Sequence, residues 1–227
     1  MESHRISSVP PSILYFPGFI SEEEERHILE KIPPNRWISL AHRRLQSLPA
    51  RLTNSNTLVT SNPLPDWLKS PIVERTHKLE IFSDAPHGIN HCLVNEYNPG
   101  QGIMPHEDGA AYYPAVATVS LGGTLVLDVT EKGQHENKKS WRILQEPRSL
   151  LITTGEAYTE TLHGIAEVEE DRDLNSETVA NWDLLGDKTR IEENGGVNVR
   201  TTRISLTYRD VKKVSALGNK IFGKPKT

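Results

Sequence analysis

The sequence predicts an α+β fold in which a few helices come first and an antiparallel sheet, closed or sandwiched, follows. Two observations support this order. The signals that start and stop helices lie within residues 1–89. From Asn90 onward, short strand-forming segments alternate with turns. The chain of 227 residues fits one domain, 1–227, and is long enough to bury a substantial core.

The N-terminal third begins with a short apolar segment, residues 13–20, which predicts a strand and a turn. Ser21 follows as a good N-cap, and Glu24 three residues later completes a capping box. The helix is predicted to end near Lys31, before two prolines. A second helix is predicted over residues 65–82 although it contains a proline, and the polar stretch between the helices is predicted to be irregular.

Strands dominate the part of the chain that follows. The segments 116–121 and 124–129 are separated by Gly-Gly, which indicates a hairpin. Residues 133–140 are predicted to form a polar hairpin loop, and residues 148–155 another strand and turn. Residues 202–209 alternate polar and apolar side chains, and this period of two predicts a strand.

Composition is that of an ordinary globular protein, with 36% hydrophobic and 25% charged residues. The single cysteine, Cys92, excludes an intramolecular disulfide framework and fits a reducing compartment, so we predict a cytoplasmic and nuclear protein. No apolar stretch approaches the length of a membrane span, and we expect no membrane contact and a monomer. The net charge of −4 excludes a general electrostatic attraction to nucleic acid.

The charge is unevenly distributed along the chain. Residues 167–196 contain ten acidic and three basic side chains and show poor periodicity, which predicts a partly mobile surface insertion between two core strands. The tail, residues 212–227, contains five lysines and no acidic residue. A solvated tail is the plainer interpretation of this tract, and a weak contact with nucleic acid is the alternative.

Two histidines and an aspartate form the first candidate site. In a strand, residues i and i+2 point to the same side, so His106 and Asp108 would converge while Glu107 points away. His163 would reach them from another strand. Two imidazoles and one carboxylate are the ligands of non-haem Fe(II) oxygenases. Zinc can use the same ligands, although the helical His-Glu-x-x-His string is absent, and the plain alternative is loop residues with one core histidine.

A second group of polar residues alternates along two predicted strands. Asn95 and Tyr97 share one face of the strand that precedes a Pro-Gly turn. Arg203, Ser205 and Arg209 share one face of the strand over residues 202–209. Two arginines on a buried face need an anion or water. A guanidinium matches a carboxylate bidentately, and for Arg203 one candidate partner is a side chain of the acidic insertion.

Together these motifs resemble the AlkB family of Fe(II)- and 2-oxoglutarate-dependent dioxygenases. Their order is Asn-x-Tyr, Pro-Gly, His-x-Asp-Gly, Leu-His-Gly-Ile and Arg-x-x-x-Thr-x-Arg. The resemblance covers residues 90–211 and, more weakly, the N-terminal third. It implies a double-stranded β-helix, or jelly-roll, core over residues 90–211, with residues 1–89 supplying outer helices and a substrate lid.

The resemblance also implies cofactors and roles. Fe(II) would be held by His106, Asp108 and His163, with 2-oxoglutarate and O2 in the remaining positions. Arg203 would bind the distal carboxylate of 2-oxoglutarate, and Arg209 would lie nearer its metal-side carboxylate. The remaining residues implied to contact 2-oxoglutarate are Asn95, Tyr97 and Ser205.

The substrate class stays open among three hypotheses. The first is an oxidative demethylase of alkylated DNA or RNA. The second is a dioxygenase that acts on a protein or small molecule, which the acidic balance favours, as does Ala110 at a position where base-repairing relatives carry an acid. The third is a nucleic-acid-binding protein with weak catalysis. If the substrate is a flipped base, the candidate contacts are Trp37, Arg43, Arg44, Tyr112 and Tyr113. Core packing of Trp37 and solvent exposure of the two arginines are the alternatives.

Overall fold

Two antiparallel sheets form the centre of the protein in the computed structural model, which describes residues 1–10, 12–133 and 138–216. The strands are β1 (Ile13–Phe16), β2 (Ile38–Leu40), β3 (Arg43–Leu48), β4 (Leu58–Val59), β5 (His91–Tyr97), β6 (Ile103–His106), β7 (Ala115–Gly122), β8 (Leu125–Glu131), β9 (Ser140–Gln145), β10 (Leu150–Thr154), β11 (Thr161–Ile165), β12 (Glu170–Asp171), β13 (Asn198–Val199), β14 (Arg203–Arg209) and β15 (Val214–Ser215). The α-helices are α1 (Glu22–Lys31), α2 (Asp66–Leu68), α3 (Glu74–His77), α4 (Gly155–Glu160) and α5 (Thr189–Glu193).

The larger sheet has seven strands in the order β1-β10-β7-β14-β5-β3-β2, and the smaller has four in the order β6-β11-β8-β9. One cavity is lined by side chains from both, which places it between the sheets. This sandwich confirms the predicted jelly-roll core. Three strands of the larger sheet, β1, β2 and β3, come from the first 89 residues.

The main hydrophobic core lies between the larger sheet and the helices. Val94, Leu206 and Tyr208 from the sheet belong to one buried cluster with Ile28 of α1 and Leu68 of α2. Since alternate residues of a strand point to opposite faces, the other face of β5 and β14 is free to line the cavity. No helix in the described parts of the chain is long and apolar enough to cross a membrane.

Helix α1 forms as the sequence predicts. The Ser21 hydroxyl accepts a hydrogen bond from the Glu24 amide at 3.2 Å, and the Glu24 carboxylate accepts one from the Ser21 amide at 2.8 Å. These bonds satisfy two amides that the first helical turn would leave unpaired. The helix ends at Lys31, and Ile32 before the prolines is extended.

The prediction of a second continuous helix is wrong. The segment is divided into α2, a π-helical turn over Lys69–Val73, and α3, and it ends short of the predicted boundary. Ser70 is extended, with φ −101° and ψ 128°, because the following proline crowds the helical conformation. The stretch predicted to be irregular between the helices is also wrong, since it contains the β2–β3 hairpin, and β3 pairs with β5.

The hairpin predicted at the Gly-Gly pair is wrong as well. β7 and β8 belong to different sheets, so the chain crosses between them at Gly122 and Gly123. A Cβ atom on either residue would lie 2.6 Å from a carbonyl oxygen, that of Thr202 or Thr201 respectively. The glycines therefore allow a close approach to the chain that enters β14. β8 pairs instead with β9, as the predicted loop requires, although residues 134–137 of that loop lie outside the described residues.

The acidic segment lies between β11 and β14 as predicted, but it is packed against the smaller sheet rather than lying loosely on the surface. Leu174, Val179, Trp182 and Ile191 pack with two core strands in a buried cluster. A few well-spaced apolar residues therefore anchor a segment whose average composition is acidic. Of the basic tail, residues 217–227 lie outside the described part of the chain.

Candidate active site

The three predicted metal ligands converge in the wall of the cavity. His106 is the last residue of β6 and pairs with His163 of the neighbouring strand β11, with ring centroids 4.4 Å apart. One potential ligand atom from each of His106, Asp108 and His163 lies within 4.8 Å of the others. Asp108 comes from the loop after β6, so the prediction that it shares a strand with His106 is wrong. The prediction that His163 lies on another strand is confirmed.

The protonation states of this group suit a divalent metal. Burial lowers the pKa of His163 to about 4, so the ring is neutral at physiological pH and keeps a lone pair. Burial alone would raise the pKa of Asp108, but the charge of Arg209, the nearby histidines and the hydrogen bond from Arg209 together outweigh it, and the pKa is lowered. The His106 Nδ1–H donates to the Met104 carbonyl at 2.9 Å, which leaves Nε2 as the acceptor nitrogen. Two imidazoles and a carboxylate therefore form a ligand set that fits Fe(II).

Arg209 supports the carboxylate from β14. Its guanidinium donates to one oxygen of Asp108, and it lies 4.8 Å from the Tyr112 ring centroid. Its Nε is buried and has no hydrogen-bond partner within the described residues. One donor of this buried guanidinium thus remains uncommitted, in a side chain that lines the cavity.

Arg203 lies on the same strand face. It is only 2% exposed, and its Nε donates to the Ser120 hydroxyl at 2.9 Å while another nitrogen donates to the Gln145 side-chain oxygen. Burial lowers its pKa to about 10, so it stays protonated at neutral pH. No carboxylate lies within 4 Å of it among the described residues. The ion pair with the acidic segment is made by Arg200, which pairs with Asp171.

The cavity of about 280 Å³ brings most of the predicted site residues together. Those that line it are His106, Asp108, His163, Asn95, Tyr97, Arg203, Ser205, Arg209, Arg43 and Tyr112. Three candidate substrate contacts lie elsewhere. Trp37 packs on the main core beneath the Arg44 guanidinium, 4.5 Å from it, and Tyr113 packs near Phe82.

Several residues of the site were not predicted. Ser120 and Gln145 hold the Arg203 guanidinium in place. Tyr158 of α4 donates to the Gly109 carbonyl at 3.1 Å and so braces the loop that contains Asp108. These residues come from elements distant in the chain and belong to no local pattern, so nothing in the sequence alone indicated them.

Fold and site define an Fe(II) oxygenase of the jelly-roll type, and sequence comparison agrees. The chain belongs to the 2OG-Fe(II) oxygenase superfamily, whose family model matches residues 12–209. It is therefore a 2-oxoglutarate-dependent dioxygenase that uses Fe(II). The predicted resemblance to the AlkB family is confirmed by the relatives that follow, and segments 94–114 and 145–151 resemble the sixth mammalian AlkB homologue in particular.

Among curated proteins, the chain is 37% identical over 227 residues to "Probable RNA/DNA demethylase ALKBH6" of Danio rerio, covering 94% of this chain and 92% of that one. It is 30% identical to "tRNA (carboxymethyluridine(34)-5-O)-methyltransferase alkbh8" of Xenopus tropicalis, covering 90% of this chain but 32% of the relative.

Solved structures agree on the fold. OsALKBH1 superposes with a TM-score of 0.54 at 16% identity, covering 88% of this chain and 99% of that one. A Pseudomonas putida prolyl-4-hydroxylase superposes with a TM-score of 0.52 at 11% identity, covering 89% and 93%. At these identities the likeness concerns the fold alone.

Proposed function

We propose that this dioxygenase removes N-methyl groups from alkylated nucleic acid, with His106, Asp108 and His163 as the iron ligands. The observation that carries the site assignment is one cavity lined both by a metal-ligand triad and by a buried Arg203 that has no carboxylate partner among the described residues. Similarity over nearly the full length to a protein named as a probable RNA/DNA demethylase supports the substrate class.

The distal carboxylate of 2-oxoglutarate would bind Arg203. Ser120 and Gln145 are neutral, so they orient the guanidinium without cancelling its charge. Tyr97, whose ring centroid is 5.9 Å from that guanidinium, would fix the side of the cofactor, with Asn95 and Ser205 beside it.

His106, Asp108 and His163 would hold Fe(II), and they would leave the remaining coordination positions to 2-oxoglutarate and O2. Arg209 keeps Asp108 ionised and holds one of its oxygens, which turns the carboxylate toward the histidines. Apolar side chains such as Leu127, Val129 and Leu151 line the wall and exclude water. When bound, Fe(II) supplies the oxidation of a C–H bond coupled to decarboxylation of 2-oxoglutarate, so that a hydroxylated N-methyl group leaves as formaldehyde.

The test measures release of labelled CO2 from 2-oxoglutarate together with formaldehyde. Wild-type protein is assayed with methylated oligonucleotides, with the same sequences unmethylated, and without nucleic acid. We expect formaldehyde only with methylated strands and CO2 release that these strands stimulate. CO2 release without any dependence on nucleic acid would instead favour a protein or small-molecule substrate. That alternative is supported by Ala110, which offers no side-chain acceptor to a base edge beside the metal loop.

A further inference from the structure

Two adjacent arginines on β3 have opposite surroundings. Arg44 donates to both oxygens of Glu96, at 2.6 and 2.7 Å, and its guanidinium also lies over the Trp37 ring. This bidentate pair cancels the charge of Arg44 and fixes its position. Since alternate residues of a strand point to opposite sides, Arg43 faces a different environment.

Arg43 has a charge that no carboxylate balances. Its Nε donates to the Asn95 side-chain oxygen at 3.3 Å, which is a neutral acceptor. Within the described chain no carboxylate oxygen lies within 4 Å of its guanidinium. A half-buried guanidinium that is oriented but not neutralised is available to an anion from outside the protein.

Arg43 lies between two pockets. It lines the metal cavity and also an outer, more open pocket formed with Ser39, Asn98, Gln101 and Thr202. Arg44 and Glu96 also line that outer pocket, so two guanidinium groups against one carboxylate leave it with one positive charge. A substrate with an anionic group in the outer pocket would therefore have its neighbouring group placed to enter the metal cavity.

The amides of the outer pocket are also set to donate. The Asn98 side-chain oxygen accepts a hydrogen bond from the Thr202 hydroxyl at 2.9 Å. The Gln101 side-chain oxygen accepts one from the backbone N–H of Asn98, also at 2.9 Å. With both oxygens engaged, the NH2 groups of Asn98 and Gln101 are left as donors. A guanidinium with neighbouring amide donors is the chemistry that recognises phosphate oxygens.

We propose that Arg43 binds a phosphodiester of the substrate strand in the outer pocket, next to the base that enters the metal cavity. This inference rests on the proposed function, because it takes the substrate to be nucleic acid. A chain with a net charge of −4 has no general attraction to a polyanion, so a local cation at the entrance would supply the contact.

The experiment compares short methylated oligonucleotides that have either normal phosphodiesters or neutral methylphosphonate linkages beside the methylated base. Dissociation constants come from fluorescence anisotropy, and KM values from formaldehyde release. We expect Arg43→Gln to weaken binding of the charged strand about tenfold to a hundredfold and the neutral strand hardly at all. Arg43→Lys should restore part of the loss, because it keeps the charge but not the bidentate geometry.

Two controls separate this contact from other effects of the substitution. Arg26→Gln removes the same charge from an exposed position on α1 and should leave binding unchanged. Salt titration adds a second readout, since loss of one phosphate contact should reduce the slope of log affinity against log salt by about one.

Equal weakening of the charged and neutral strands by Arg43→Gln would overturn the inference, and so would unchanged binding of both. A raised KM for 2-oxoglutarate in Arg43→Gln would assign the residue to the cofactor and overturn it as well. If wild-type protein neither binds nor demethylates any methylated oligonucleotide, the proposed function fails and takes this inference with it. Demethylation by the wild type that Arg43→Gln leaves intact would overturn this inference alone.

Discussion

Two buried arginine–aspartate pairs differ in how many of their hydrogen-bonding groups have partners within the protein. Arg200 donates to both oxygens of Asp171, at 3.0 and 2.6 Å, and to the Ala166 carbonyl at 2.7 Å. Asp171 accepts a further bond from Asn198 at 3.0 Å. Arg209 instead holds a single oxygen of Asp108, and its Nε has no partner among the described residues. We call the first pair closed, because its hydrogen-bonding groups are paired within the protein. We call the second pair open, because some of its groups have no partner among the described residues.

This difference separates a structural role from a functional one. A buried pair that satisfies its donors internally can only anchor the chain, and Arg200–Asp171 anchors the acidic segment to the strands. A pair with unused donors and acceptors keeps them for a ligand. By the same measure Arg203, which contacts only neutral groups, is open, and Arg44, which Glu96 neutralises, is closed.

The largest effect is expected at the open pair. Asp108→Ala, like His106→Ala and His163→Ala, should abolish iron-dependent turnover of 2-oxoglutarate, because each removes one of three ligands. CO2 release and iron binding measure the loss. Circular dichroism should show a folded protein, since the cores lie elsewhere, although Asp108→Ala should also lower stability because it leaves Arg209 without its counter-charge. Normal iron affinity and turnover in Asp108→Ala would contradict the assignment.

The closed pair should instead affect stability. Asp171→Ala leaves Arg200 buried without its counter-charge, and we expect the free energy of unfolding to fall by about 3–5 kcal/mol. Urea denaturation measures this change. The matched control, Arg200→Met with Asp171→Leu, removes both charges and should lose much less. A loss below about 1 kcal/mol in Asp171→Ala would show that the segment does not depend on this pair.

Arg203 should behave in the opposite way to Asp171. Arg203→Ala removes a charge-assisted contact with 2-oxoglutarate, so the KM for 2-oxoglutarate should rise about tenfold to a hundredfold. Without cofactor, Arg203→Met should not destabilise the protein as Asp171→Ala does, because no carboxylate among the described residues loses its partner. An unchanged KM in Arg203→Ala would make this arginine structural.

The sequence predicted the open groups better than the closed ones. Alternation along β14 placed Arg203 and Arg209 on one face, because a strand has a strict period of two. The closed Arg200–Asp171 pair was missed, since Asp171 lies near the start of a segment whose acidic composition resembles a mobile loop, and Arg200 lies beyond its end. Composition averages over the segment, whereas burial depends on a few apolar side chains such as Trp182.

Other wrong predictions from the sequence have a similar cause. The Gly-Gly pair before β8 was interpreted by its local preference for turns, but close approach to residues 201–202 decides its conformation. Asp108 was placed on a strand by its spacing from His106, although the strand ends at His106 and the loop directs the carboxylate. In each case a contact between distant segments overrides the local signal, and the sequence does not contain that contact.

The smallest expected effect tests whether the charge of Arg209 lowers the pKa of the neighbouring His91. His91 lies opposite Arg209 in the sheet, and burial first, then the charge of Arg209, lowers its pKa to about 4. In the unfolded chain the pKa is about 6.5, so the unfolded state binds more protons between these values, and stability must fall as the pH drops below 6.5. Between pH 6.5 and 5.5 this histidine should account for a loss of about 1 kcal/mol in the free energy of unfolding. His91→Phe keeps a ring beside Tyr112 and should flatten the pH dependence by that amount, as measured by urea denaturation at the two pH values. An identical slope in the variant would mean that His91 takes up protons equally in the folded and unfolded states, and that neither burial nor Arg209 disfavours its charge.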